Sequence, residues 1–186
     1  FVDEHGFILA EGESRPAGLE WDSTSPNDSQ DLAFFDDMLT CISGAYSVDV
    51  DRVHATGLSA GALWTTYLTM FRADVLASTA PMSGGLLPAY PDPERKPPML
   101  IGWGGENDFA FDQDFHVLAN DLLDTVVPAG HFAVACNHNM EHTWEPEFSP
   151  WVIRFLLDHP RGVDPLPYAE GLPELFPDYC EIVAER

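Results

Sequence analysis

The stretch around Ser59 constrains the fold of this chain more than any other part of the sequence. Residues 53–56 form a short apolar and branched run, which is typical of a buried parallel strand. Residues 60–71 contain no proline and only one glycine, so they can continue as a helix. The sequence therefore predicts a strand, a sharp turn with Ser59 at its apex, and a helix.

The turn itself, Gly57-Leu58-Ser59-Ala60-Gly61, fits the G-x-S-x-G pattern of a nucleophile elbow. A residue on such a turn has strained backbone angles, and glycine neighbours let the strand and the helix approach each other. The turn would hold the Ser59 hydroxyl above the carboxyl end of a sheet. It would place the N–H of Ala60 at the start of the helix, where negative charge is stabilised. A glycine-rich turn with an exposed serine is the alternative interpretation, and the flanking strand and helix favour the elbow.

Strands and helices alternate along the rest of the chain. We predict strands at residues 7–10, 76–82, 99–103 and 132–136. We predict helices from Ser29 or Asp28 to about Tyr46, over residues 111–124, and over residues 151–159 with Ser149 as N-cap and Pro150 as first residue. Residues 160–186 are expected to wrap the surface. This alternation predicts a single α/β domain over residues 1–186, with a mostly parallel sheet, helices on both faces, and ligands at the carboxyl ends of the strands.

The composition excludes two classes of partner. The chain has 186 residues and a net charge of −23, from 31 acidic and 8 basic residues. Such a surface repels nucleic acid and anionic membranes. No apolar run approaches the length of about 18 residues that a membrane-spanning helix needs. The first residues show no initiator methionine, basic stretch or apolar stretch, so we expect that any secretion signal was removed or never existed.

Three cysteines leave the redox state of the chain open. Cys41 falls on the apolar side of a predicted helix and is expected to be packed there. Cys136 and Cys180 can pair in an oxidising compartment, but their spacing alone does not decide between one disulfide and buried thiols.

A serine nucleophile needs a base, and the base needs an acid to orient it. In the chain order Ser, acid, His, the acid should follow a late strand. The predicted strand at residues 99–103 is followed by Gly104-Gly105-Glu106-Asn107-Asp108, and we predict Asp108 as the acid. Glu106, Asp112 and Asp114 are its competitors.

The base should follow the last predicted strand, and three histidines lie near it. His142, on the loop before the closing helix, is the predicted base; His138 is the second choice, and His131 precedes the strand and fits poorly. Cys136, His138 and His142 also suggest a metal site at short spacing. No second Cys or His pair stands at a zinc-like distance, so we predict no metal.

Three segments together resemble a known family. Residues 49–61, the loop Gly105-Glu106-Asn107-Asp108, and residues 136–144 are similar to the polyhydroxybutyrate depolymerase and feruloyl esterase family of α/β-hydrolases. The similarity extends from about residue 1 to the closing helix. It implies that Ser59 is the nucleophile, Asp108 the orienting acid and His142 the base. It also implies a secreted or envelope-bound carboxylester hydrolase that acts on polyesters, feruloylated sugars or small acyl esters without a metal or organic cofactor. We expect Leu58 and Trp144 to contact the substrate.

The chain departs from the family pattern at two places. Glu141 replaces the glycine that usually precedes the histidine, which adds a carboxylate beside the base. The family's earlier strands and its His-Gly loop, which gives a second oxyanion donor, are also missing. His5-Gly6 precedes a predicted strand and is interpreted as a turn. We therefore expect an incomplete sheet that another segment or chain completes; the alternative function is a non-catalytic binding module on a truncated hydrolase fold.

Overall fold

A computed structural model describes residues 6–13, 21–25 and 29–185. Its main sheet has five strands in the order β1-β2-β3-β6-β7. The first four strands run parallel and β7 is antiparallel to β6. The strands of this sheet are β1 (Ala55–Leu58), β2 (Thr79–Met82), β3 (Met99–Trp103), β6 (Ala133–Asn137) and β7 (Cys180–Val183). A separate hairpin is formed by β4 (Phe109–Ala110) and β5 (Gln113–Asp114). The predicted mostly parallel α/β sheet is confirmed.

Four helices of the described residues begin and end near the predicted limits. They are α1 (Gln30–Ala45), α2 (Ala60–Phe71), α3 (Phe115–Val126) and α4 (Phe148–Asp158). Ser29 caps α1 by accepting a hydrogen bond from the N–H of Asp31, as its position in the sequence predicts. Helix α4 begins before the predicted Ser149 cap, at Phe148, so Pro150 lies within its first turn, where a missing N–H costs nothing.

Side chains on the two faces of the sheet pack against different helices. Leu100 and Val134 point to the face covered by α4, where Phe148, Val152 and Phe155 complete a buried cluster. The neighbouring residues Met99, Ile101, Ala133 and Ala135 point to the other face, where α3 covers them. This alternation by two is that of a strand buried on both sides, and it confirms helices on both faces.

Helix α1 packs on α2. Its Leu32 and Phe35 join Trp64 and Tyr67 of α2 in a third buried cluster, and Ala55 of β1 adjoins the same cluster. Cys41 is exposed, so the prediction that its thiol is packed is wrong. The fully buried residues of α1, Leu32 and Phe35, lie in its first half, and Cys41 lies in the exposed second half.

The predicted strand at residues 7–10 is not formed. These residues have no regular secondary structure, and Ile8 and Leu9 are 49% and 67% exposed. No strand of the described residues pairs with this run, and an apolar run alone does not form a sheet without such a partner strand.

Two further elements differ from the sequence prediction. The predicted helix at residues 111–124 begins at Phe115, because Phe111 and Asp112 adopt positive φ angles of 50° and 62° and form the turn of the β4–β5 hairpin. The tail was expected only to wrap the surface, but residues 180–183 form β7. A disulfide between Cys136 and Cys180, which face each other in the β6–β7 register, joins this strand to the sheet.

Strand β1, which leads to Ser59, lies at one edge of the sheet. Among the described residues only β2 pairs with it. Edge strands of this kind present free N–H and C=O groups to a further strand. That another segment or chain completes the sheet here stays a prediction.

No helix in the described part of the chain is both long enough and apolar enough to cross a lipid bilayer.

Candidate active site

Ser59 lies on a strained turn between β1 and α2. Its φ and ψ angles are 58° and −121°, a region that residues other than glycine rarely adopt. Its backbone N–H donates to the carbonyl of Met82 at the end of β2, which fixes the turn against the neighbouring strand. Although Ser59 occupies the N-cap position of α2, its side chain makes no capping hydrogen bond. The Ser59 hydroxyl thus does not cap the helix that it precedes.

The first glycine of the turn is required by a close contact. A Cβ on Gly57 would lie 2.6 Å from the carbonyl carbon of Gly61, so only glycine lets β1 and α2 approach this closely. Gly61 is different, since a Cβ there would meet no described atom within 4 Å. The predicted steric reason thus holds for Gly57 and not for Gly61. Ala60 begins α2, and its N–H makes no hydrogen bond with any described residue.

Asp108 follows β3 and lies buried at the carboxyl end of the sheet. Its side chain is 0% exposed, and it accepts three hydrogen bonds. The Ser83 hydroxyl and the Gly104 N–H both donate to Oδ2, each at 2.7 Å, and Oδ1 lies 2.6 Å from Nδ1 of His142. A buried carboxylate with this many partners is held in one orientation.

His142 lies on the loop after β6 and faces Asp108. An ionised carboxylate can only accept, so this contact requires the proton of the neutral imidazole to be on Nδ1. The ring of Phe115 stacks on the imidazole with centroids 4.6 Å apart. The His142 side chain is 17% exposed, so part of the imidazole ring remains open to solvent or a ligand. His142 is thus held at Nδ1 and on one ring face, and its Nε2 makes no hydrogen bond to any described residue.

The loops that carry Asp108 and His142 come together because Gly104 has no side chain. A Cβ on Gly104 would collide with the carbonyl of Glu141. The N–H of Glu141 in turn donates a hydrogen bond to the carbonyl of Gly104 at 3.0 Å. Glu141 has a φ of 62°, so the position that the family fills with glycine keeps a backbone conformation that favours glycine.

The other acidic residues of this region have different positions. Glu106 is exposed, and Asp112 is exposed at the tip of the β4–β5 hairpin. Asp114 caps α3 by accepting from the N–H of Val117. Of the four candidate acids, the structure brings Asp108 to His142. The roles of Ser59, Asp108, His142 and Ala60 in catalysis stay predictions, and in the described residues the Ser59 hydroxyl makes no hydrogen bond to His142.

The two other candidate bases are buried elsewhere. His138 is 4% exposed against Phe148, and its Nδ1 accepts from the N–H of Met140. Burial lowers the pKa of His138. This effect outweighs the negative charge of Asp108, which acts to raise the same pKa. His131 bridges the Pro97 carbonyl and the Tyr90 hydroxyl.

The suggested metal ligands do not form a site in the described residues. Cys136 is in a disulfide and has no thiolate to offer. No group of three or more His, Cys, Asp or Glu side chains that could hold a metal occurs within residues 6–13, 21–25 and 29–185.

Leu58 and Trp144, the predicted substrate contacts, are both half-buried. They pack against the buried cluster that contains Phe148, and the indole of Trp144 donates to the Ser149 hydroxyl at 3.3 Å. Their contact with a substrate stays a prediction.

Ser83 is the polar partner at this site that sequence reasoning missed. It follows β2, is completely buried, and adopts a φ of 52°. Its position directly before Gly84-Gly85, at the end of a predicted strand, already placed it at the same edge as Ser59.

Comparison with known proteins shows where this fold occurs. No family model matches the chain. A curated oxidized polyvinyl alcohol hydrolase from Pseudomonas sp is 25% identical over 81% of this chain and 51% of its own length. The enzyme of the same name from Sphingopyxis sp. (strain 113P3) is 22% identical over 82% of this chain and 54% of its own. A poly(3-hydroxyalkanoate) depolymerase C from Paucimonas lemoignei is 44% identical over 48 residues, 26% of this chain and 12% of that enzyme.

The chain is a distant homologue of these enzymes, in the α/β-hydrolase lineage. This confirms the resemblance to polyhydroxybutyrate depolymerases. Solved structures agree at the level of the fold: native pOPH superposes with a TM-score of 0.66 at 23% identity, over 82% of this chain and 58% of its own. The chain spans about half the length of the curated oxidized polyvinyl alcohol hydrolases that it matches.

Proposed function

We propose that this chain is the catalytic part of a serine carboxylester hydrolase. The observation that carries the proposal is the 2.6 Å contact between His142 Nδ1 and a completely buried Asp108. This contact lies at the carboxyl ends of the parallel strands, where Ser59 occupies a strained turn and its side chain makes no capping hydrogen bond. This arrangement supplies a nucleophile, a base and an acid from three neighbouring loops, in the chain order of α/β-hydrolases.

In the first half of the reaction, His142 Nε2 takes the proton of the Ser59 hydroxyl as Oγ attacks the ester carbonyl carbon. The new C–O bond moves the carbonyl electron pair to oxygen, and the N–H of Ala60 at the start of α2 stabilises this oxyanion. Asp108 stabilises the imidazolium that forms. When the oxyanion collapses, the alcohol leaves with the proton of Nε2, and an acyl-serine remains.

In the second half, water replaces the alcohol. His142 takes a proton from water, the hydroxide attacks the acyl carbon, and the second oxyanion expels Ser59, which regains its proton from Nε2. No hydrogen bond joins Ser59 to His142 among the described residues. Such bonds are often long without substrate and tighten when the reacting groups are assembled.

The surface around the site suits an uncharged, apolar ester. The hairpin that follows Asp108 exposes Phe109 and Phe111 at 56% and 81%, and Met140 on the His142 loop is 41% exposed. With a net charge of −23, the protein repels anionic substrates. A polyester or a small acyl ester fits this surface, and the poly(3-hydroxyalkanoate) depolymerase relationship supports the polyester.

We also propose that the protein acts outside the cytoplasm. The Cys136–Cys180 disulfide is typical of an oxidising compartment. Treatment of freshly isolated protein with a thiol-alkylating reagent should modify only Cys41; modification of all three cysteines would contradict this location.

Replacement of the nucleophile tests the proposed activity. In the full chain, Ser59→Ala should abolish hydrolysis of a chromogenic short-chain ester, while the free energy of unfolding changes by less than about 1 kcal/mol, because the Ser59 side chain does not cap α2. Ser43→Ala, an exposed serine in α1, is the matched control and should retain full turnover. Turnover by Ser59→Ala would refute the proposal.

The alternative is a binding module that keeps the cleft without the chemistry. It is favoured by one observation: β1 lies at the sheet edge, and no second oxyanion donor is identified among the described residues. Removal of one such donor costs about 10²–10³ in rate. A protein that binds an ester by calorimetry but never hydrolyses it would support the module and contradict the esterase.

A further inference from the structure

Ser83 joins the site through a hydrogen bond that the catalytic roles proposed above do not use. Its hydroxyl donates to Asp108 Oδ2 at 2.7 Å, on the carboxylate oxygen opposite to the one that faces His142. We propose that Ser83 is a positioning residue, which holds the Asp108 carboxylate in the plane that serves His142 and moderates its negative charge. This inference rests on the proposed esterase function.

The backbone of Ser83 is built for this contact. Its φ of 52° lies in the left-handed region, which costs energy for any residue except glycine. The N–H donates to the Gly102 carbonyl at 2.7 Å, which fixes the residue against β3. Ser83 is 0% exposed, and its hydroxyl has Asp108 as its hydrogen-bond acceptor. A small polar side chain is thus held on a strained backbone at the one place where it reaches the buried acid.

The consequence for His142 follows from the hydrogen bonds that Asp108 accepts. Two donors, Ser83 and the Gly104 N–H, share Oδ2 and draw negative charge toward it. Without the serine, Oδ1 carries more of that charge and becomes a stronger acceptor for the Nδ1 proton of His142. The hydrogen bond between Oδ1 and the Nδ1 proton of His142 would then change in strength, and with it the restraint on the imidazole. The carboxylate would also have one restraint fewer on its rotation.

Strand β2 offers a matched control at its other end. Ser78 precedes β2 as Ser83 follows it; both are 0% exposed. The Ser78 hydroxyl lies 2.9 Å from Nδ1 of His54, far along the strand from Asp108. Ser78→Ala therefore removes a buried serine–side chain hydrogen bond from the same strand without touching the site.

Two substitutions of Ser83 separate its hydroxyl from its backbone. Ser83→Ala removes the hydroxyl and keeps the strained φ, whereas Ser83→Gly removes the hydroxyl and relaxes the strain, so it folds even if the alanine variant does not. In the full chain we expect both to lower kcat for a chromogenic ester roughly tenfold with little change in KM. Ser78→Ala should keep the wild-type kcat.

A spectroscopic readout makes the inference independent of turnover. The proton between His142 Nδ1 and Asp108 should give a low-field NMR signal, identified by its loss in His142→Gln. We expect this signal to move further downfield in both Ser83 variants and to stay in place in Ser78→Ala. If the wild-type protein hydrolyses no ester, the proposed function fails while the NMR result still tests Ser83. An unchanged signal in both folded Ser83 variants, or an equal change in Ser78→Ala, would overturn the positioning role.

Discussion

The two ends of the parallel sheet carry similar residues in different surroundings. At the carboxyl end, His142 contacts Asp108, which in turn contacts Ser83. At the amino end, His54 contacts Ser78, and no carboxylate joins them among the described residues. His54 and the nearby His159 each have a buried Nε2 without a hydrogen-bond partner in the described part of the chain.

The carboxylate makes the difference between these two ends. Burial, and next the positive charge of Arg52, lower the pKa of His54 from its usual 6.5 to about 4. A neutral, buried imidazole of this kind packs and accepts a hydrogen bond, but it is a weak base. At the other end a buried acid can stabilise an imidazolium, which a base must become during catalysis. The following predictions test this contrast, beginning with the largest effect.

Removal of the charge at the carboxyl end should have the largest effect. In the full chain, Asp108→Asn places an amide where the acceptor was, so the amide can hold His142 in the wrong tautomer. We expect kcat for a chromogenic ester to fall by ~10³–10⁴-fold, the loss seen when the acid of a Ser-His-Asp triad is replaced by its amide. Asp112→Asn, an exposed acid on the following hairpin, is the control and should keep its turnover. Comparable activity in the two variants would remove Asp108 from the account.

The amino end should make the protein sensitive to acid. Since the pKa of His54 is lower in the folded protein than in the unfolded chain, the unfolded chain gains its proton first as the pH falls. The free energy of unfolding should therefore decrease from about pH 6.5 downward and level off below about pH 4, with a contribution from His54 of up to ~3 kcal/mol. Denaturant titrations at several pH values measure this.

Substitutions at the amino end give the control for that pH dependence. His54→Gln should remove most of its contribution, and Arg52→Gln a smaller part, because the guanidinium is the second cause of the low pKa. The buried His138 and His159, whose pKa values burial also lowers, should account for part of the remaining slope. A slope in His54→Gln equal to that of the wild type would show that the amino-end histidine is not buried as described.

A smaller effect, on KM, is expected from an exposed aromatic side chain near the site than from the loss of Asp108. Phe111, on the hairpin after Asp108, is 81% exposed, and Tyr46, just after α1 and away from that hairpin, is 63% exposed. Phe111→Ser should raise KM for a long-chain acyl ester several-fold, because apolar contact area with the substrate is lost. Tyr46→Ser should leave KM unchanged. Equal KM values for all three proteins would exclude the hairpin from substrate contact.

The smallest effect concerns the backbone of the His142 loop. Glu141 has a φ of 62°, so Glu141→Gly should raise the free energy of unfolding by about 0.5–1 kcal/mol. Thermal or denaturant unfolding at pH 7.5 measures the change. The control is Glu106→Gly, which should not stabilise the protein because the φ angle of Glu106 is not positive. Destabilisation by Glu141→Gly would mean that its side chain makes a contact that outweighs the strain.

Local patterns predicted the elements that local interactions determine. Ser29 caps α1 where the sequence places a cap, and the strand–turn–helix around Ser59 forms because Gly57 permits the close approach to Gly61. The position of Asp108 after β3 and of His142 after β6 followed from the rule that parallel strands present their carboxyl ends at one edge.

The elements that depend on distant partners were not predictable in this way. Residues 180–183 became a strand because β6 and the Cys136–Cys180 disulfide hold them there, and nothing in their own short run specifies that pairing. Residues 7–10 are an apolar run that pairs with none of the strands in the described part of the chain. Ser83 acquires its role from the side chain of Asp108, 25 residues further along the chain. Local sequence patterns do not predict contacts between residues that are this far apart along the chain.

The central claim, that Ser59 is a nucleophile served by His142, is tested most directly by covalent labelling. The full chain is treated with a fluorophosphonate, which reacts with activated serines, and the modified peptide is identified by mass spectrometry. We predict a single adduct, on Ser59, that forms at least a hundredfold more slowly in His142→Gln and is absent in Ser59→Ala. An unlabelled wild-type protein, or an adduct on another serine, would contradict the account.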